Sequence, residues 1–113
     1  MDEILEGILE GDSVGIEPSD KLFIFELGKK TIHEIGAIDD YSEQLFQKRS
    51  RKITKSLSQK FGGDWVCIVG KQSSETNFGY YIPSIRNISF LVDEKHFIFV
   101  AQIFQERVPF RNT

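Results

Sequence analysis

One cysteine, Cys67, stands among 113 residues, so no disulfide can close within the chain. A domain of this length buries enough apolar surface to fold without such a staple. A lone thiol suits a reducing compartment. Histidine is nearly as scarce: His33 and His96 are separated by most of the chain, and no Cys/His spacing resembles a metal site. No apolar run approaches the roughly 20 residues of a membrane span. The start of the chain lacks the basic residues and apolar stretch of a secretory signal. The expectation is a soluble intracellular protein that does not enter a membrane. Bases are missing from residues 1–20, which hold seven of the seventeen acids and none of the fourteen Lys and Arg residues.

Catalytic signatures are missing too. A cysteine nucleophile needs a nearby base and a depressed pKa, whereas Cys67 sits in the apolar run Trp65-Val66-Cys67-Ile68-Val69. A phosphate cradle needs a glycine loop ahead of a helix, and Gly62-Gly63 follows one. The sequence therefore points away from an enzyme and requires no cofactor.

What is present is aromatic: ten Phe, three Tyr and one Trp, a composition that leans towards β-structure. The acidic segment 1–20, with its repeat Ile4-Leu5-Glu6-Gly7 and Ile8-Leu9-Glu10-Gly11, reads as a flexible tail or a short helix that orders on a partner. A single domain is expected over residues 21–108, with a short tail over 109–113. Leu22 to Leu27 is apolar at nearly every position and predicts a strand covered on both sides. Gly28-Lys29-Lys30 breaks it, and Thr31 to Ile38 fits a strand or a short helix equally well.

Asp39 to Phe61 predicts the one long helix. Asp39 or Asp40 can cap it, and Glu43 suits the positive end of its dipole. Tyr41, Leu45, Ile53, Leu57 and Phe61 form one apolar stripe, and Gly62 is a natural stop. Lys48, Arg49, Arg51, Lys52, Lys55 and Lys60 make the same helix basic, which reads first as a solvated face. Four strands are predicted after it, at Trp65–Val69, Phe78–Ile82, Ile88–Val92 and Phe97–Phe104. Asp93-Glu94-Lys95 should join the last two as a hairpin. The class is α+β, with one long helix and room for a second short one on a mainly antiparallel sheet.

The stretch from about Arg51 to Phe104 resembles the small dynein light chains, the dimeric hub type. The resemblance rests on Ile53, Phe61, Trp65, Cys67-Ile68-Val69-Gly70, Asn77-Phe78-Gly79, Tyr81 and the Ile88–Val92 strand, in that order. It implies a binding module. The strand that begins at Asn77 would cross to a partner subunit, making a homodimer or a heterodimer with a related light chain. Linear motifs, such as those of dynein intermediate chains, would add beside it as one more strand. By position the exchanged strand is Asn77 to Pro83. The groove and dimer residues are Asn77, Phe78, Gly79, Tyr80, Tyr81, Ile82, Ile88, Phe90 and Val92. The implied setting is the cytoplasm and cytoskeleton, with the cilium and axoneme included. Pro83 departs from the family by lacking an N–H, and Phe46 stands near the family's acidic residue at the start of the second helix. The usual motif preference is therefore not expected to transfer. Two alternatives stand beside this reading. One is a fixed structural subunit of a cytoskeletal assembly. The other is an unrelated α+β domain whose basic helix meets an acidic partner or, less in keeping with the chain's acidity, a nucleic acid.

Overall fold

The computed structural model describes residues 13–71 and 83–104. The elements run β1 (Ser13–Val14), α1 (Pro18–Glu34), α2 (Glu43–Phe61), β2 (Asp64–Lys71), β3 (Ser84–Val92) and β4 (His96–Ile103). The four strands form one antiparallel sheet in the order β1-β3-β4-β2. Helix α1 packs on β3, α2 packs on β2, and the two helices pack on each other. The class is α+β, as the sequence predicts. Ser13–Val14 and Pro18–Asp20, from the acidic segment, belong to β1 and the first turn of α1. The predicted strand at Phe78–Ile82 lies outside the described residues.

The predicted strand at Leu22–Leu27 is corrected: these residues lie inside α1. The buried positions are Lys21, Ile24, Phe25, Gly28, Thr31 and Ile32, a helical spacing of three and four. Half of that stripe is not aliphatic or aromatic, so an apolar count misses it. Pro18 fits the first turn, where its missing N–H costs nothing, and Asp20 suits the dipole. Gly28 is a contact and not a break. A Cβ there would stand 2.9 Å from the Phe90 ring and 3.1 Å from Ile98 Cδ1. Glycine in a helix costs about 1 kcal/mol relative to alanine, and here it lets the backbone lie against the sheet.

Helix α2 starts later than predicted, and Ser42 is the cap that fixes this. Its hydroxyl accepts from Leu45 N–H at 3.3 Å, while the Asp40 carboxylate accepts from Ser42 N–H at 2.9 Å. Gly62 ends the helix as expected, at φ 75°, with its N–H donating to Ser58 O. The buried row is Leu45, Arg49, Ile53 and Leu57. Arg49, assigned from the sequence to a solvated basic face, occupies the gap in the apolar stripe and is fully buried.

Alternation along the strands gives the sheet two faces. Trp65, Cys67 and Val69 of β2, Ile88, Phe90 and Val92 of β3, and Ile98 and Val100 of β4 pack beneath the helices. The other face carries Val66, Ile68, Leu91, Phe97, Phe99, Ala101 and Ile103. Of these, Phe99 and Ala101 are buried. The β3–β4 hairpin forms as predicted, with Asp93 and Glu94 both left-handed at φ 54° and 63°.

Arg49 closes the helical layer onto the sheet. Its Nε donates to Ile35 O at 3.0 Å, and its Nη2 donates to Ile32 O and Ala37 O, both at 3.1 Å. Nη1 donates to His96 Nε2 at 3.2 Å and makes a longer 3.5 Å contact to Asp40 O. One guanidinium thus holds the end of α1, the connecting loop and the start of β4. Because Nε2 accepts, the neutral His96 ring carries its proton on Nδ1. That atom is buried without a hydrogen-bond partner among the described residues. Burial, and then the Arg49 charge, lower the His96 pKa from 6.5.

A buried Leu57→Ala change is expected to cost about 2–5 kcal/mol, read as a lower urea midpoint. Arg49→Met orphans several carbonyls, each costing about 1–3 kcal/mol, and should lower the midpoint at least as far. The pH dependence has a definite sign. His96 binds its proton less readily folded than unfolded, so its full contribution to stability is present above pH 6.5. It is lost as pH falls below that value towards the lower folded pKa. Urea midpoints from pH 8 to pH 5 should fall for the wild type and fall less for His96→Gln.

Candidate binding cleft

β2 is an edge strand. Among the described residues it pairs only with β4, from Asp64↔Ile103 to Lys71↔His96. Its other side presents unpaired backbone donors and acceptors, the template on which an extended segment adds. Exposed edges of this kind invite a partner strand wherever the neighbouring surface leaves room.

That room exists because α2 lies over one face of β2 and stands off from its free edge. A cleft of about 620 Å³ separates them, walled by Glu43, Phe46, Gln47, Ser50, Arg51 and Thr54 of α2. Cys67, Ile68 and Val69 of β2 form the opposite wall. A second cleft of about 340 Å³ shares Arg51 and Thr54 and continues past Lys55 and Ser58 to Asp64 and Trp65. The two make one trough along the strand.

Both ends of the trough are clamped. At the start of β2, Trp65 Nε1 donates to Gly62 O at 3.0 Å, and Gln102 Nε2 donates to the same carbonyl at 3.1 Å. Arg86 donates to Gln102 Oε1 at 2.8 Å and lies over the rings of Phe61 and Trp65, at 4.9 and 5.4 Å. Gly63 makes the tight entry possible. It sits at φ 77°, and a Cβ there would meet Gln102 Nε2 at 2.6 Å. At the far end Phe46 and Tyr41 pack on the His96 ring, and the Lys71 ammonium sits 4.6 Å over Tyr41. These contacts tie α2 to the sheet at both ends of the trough.

The residues nominated from the sequence fall elsewhere. Ile88, Phe90 and Val92 are only 1%, 6% and 2% exposed and face the helices. Within the single chain they join the core with Ile24, Phe25 and Ile32 of α1. Asn77, Phe78, Gly79, Tyr80, Tyr81 and Ile82 lie outside the described residues. Pro83 is exposed immediately ahead of β3. The α2 wall was not anticipated, since its residues are ordinary polar side chains. The one available signal is that Glu43, Gln47, Arg51 and Lys55 recur at every fourth position beside the buried row.

Cys67 lines the trough without being chemically poised. Burial pushes its thiol up to about 12, against a smaller lowering by a hydrogen bond with Ser50. No group of three or more His, Cys, Asp or Glu side chains among the described residues is arranged to hold a metal. At pH 8 a disulfide reagent such as DTNB is expected to modify Cys67 slowly in the folded protein and fast in urea. Equal rates in both conditions would contradict the buried thiol.

Neither a family model nor a curated protein matches the chain. Solved structures do. The dynein light chain-like domain of the Fasciola hepatica calcium binding protein FhCaBP2, as a mercury derivative, is 12% identical with a TM-score of 0.58, covering 83% of this chain and 92% of that one. In native crystals the same domain gives 13% identity, a TM-score of 0.57, and coverage of 80% and 85%. The DLC-like domain of CsTAL3 is 19% identical with a TM-score of 0.53, covering 77% of this chain and 88% of that one. The likeness covers 77–83% of the chain, more than the half on which the sequence resemblance rests.

Proposed function

We propose that this dynein light chain-like fold works as a dimeric binding module that takes up extended segments by strand addition. The observation that carries the reading is the unpaired edge of β2 beside a preformed, clamped trough. Asn77 to Pro83 of a second copy, or of a related light chain, adds to β2 first. A linear motif of a partner protein then lies between that strand and α2. Backbone hydrogen bonds supply affinity and the α2 side chains supply selectivity. Two such troughs per dimer raise avidity for bivalent partners through effective concentration. The apolar second face of the sheet supports self-association, since Val66, Ile68, Leu91 and Ile103 stay half-exposed on it in the single chain.

The resemblance to dynein light chains supports a role for such a module in a motor or microtubule-associated complex of the cytoplasm or cilium, with dynein intermediate chains as model partners. Light scattering tests the assembly. The wild type is expected at twice the 13.0 kDa chain mass, and Gly79→Pro, which disrupts the exchanged strand, at the monomer mass. A monomeric wild type across the micromolar range, or a Gly79→Pro variant that stays dimeric, would contradict strand exchange.

A further inference from the structure

The α2 wall carries a charge order that strand addition would read. Glu43, Gln47, Arg51 and Lys55 line the trough at successive fourth positions. Four helical residues rise about 6 Å, and two strand residues advance about 6.6–6.8 Å. Over the row from Glu43 to Lys55 the helix climbs about 18 Å, while seven strand residues cover about 20 Å. The mismatch is within the reach of long side chains. An extended segment running along α2 would therefore bring alternate residues opposite these four side chains in turn.

Resting on strand addition in this trough, we propose that the bound segment is a charge-ordered peptide. Over seven residues it carries a basic residue opposite Glu43, a polar one opposite Gln47, and acidic ones opposite Arg51 and Lys55. The run reads basic, x, polar, x, acidic, x, acidic along α2, or its reverse if the segment runs the other way. Glu43, Arg51 and Lys55 make no ion pair among the described residues, so their charges stay available. Cys67, Ile68 and Val69 of β2, on the far side of the added strand, contribute no charge. Asp64 stands near Lys55 in the lower trough and works against the second acid, so the residue opposite Arg51 is selected hardest. Lys48 and Lys52 are exposed, line neither cleft, and take no part.

The test is selection of random twelve-residue peptides displayed on phage against the wild type and against Arg51→Glu. Arg51 is exposed, and an unchanged urea midpoint will show that the variant folds. Wild-type selection is expected to enrich Asp or Glu at one fixed position, with Lys or Arg four positions away. Arg51→Glu should weaken binding of the selected peptides about tenfold or more. Exchanging their central acid for Lys should restore it. Peptides captured without an acidic preference, or with the same preference by both proteins, would overturn the charge order and leave strand addition standing. A folded wild type that captures no extended peptide would overturn both.

Discussion

The burial of one arginine in the middle of an apolar stripe sets the geometry of the whole molecule. Arg49 fixes the rotation of α2 about its own axis, because its guanidinium must reach Ile32 O, Ile35 O, Ala37 O and His96 together. A buried cation is tolerated only when fully hydrogen-bonded. That requirement leaves α2 one docking angle. With Leu45, Arg49, Ile53 and Leu57 turned to the core, the row at Glu43, Gln47, Arg51 and Lys55 must face along the edge of β2. The face of the helix that lines the trough is thus a consequence of its buried face.

The sheet order supplies the other half of the site. Placing β4 between β3 and β2 pairs its backbone on both sides, while β1 covers β3 only at Asn87 and Ile88 and β2 is left open on one side among the described residues. The open edge is flanked by the Gly62–Gly63 turn, the Arg86 stack and the Tyr41–His96 contact. An unpaired edge already in strand conformation offers backbone hydrogen bonds at little ordering cost. On the proposed binding mode, fit in backbone and fit in charge can be tuned separately, the first by the strand added at the β2 edge and the second by α2.

Much of this was legible in the sequence and some of it was not. The α2 stripe, the Gly62 stop, β2 and the β3–β4 hairpin follow from local periodicity and turn chemistry. Helix α1 does not, because Lys21, Gly28 and Thr31 are buried by tertiary contacts that no hydropathy count registers. Arg49 looked like one more surface base until its carbonyl partners, fourteen and seventeen residues away, came into view. The trough was hidden for a related reason: an edge is a property of strand order, and strand order is not written in any one segment. Ile88, Phe90 and Val92 were nominated by position in a family, whereas their alternation already marked one face of a strand that the helices cover.

Amide hydrogen exchange along β2, followed as a function of protein concentration, tests strand addition at this edge most directly. In an antiparallel pair every second amide of β2 points to β4, and the others point to the free edge. The second set should be weakly protected at low concentration and gain protection as the dimer forms, while the first set stays protected throughout. An alternating pattern that persists unchanged at all concentrations would mean that nothing adds to β2, and the account would fail.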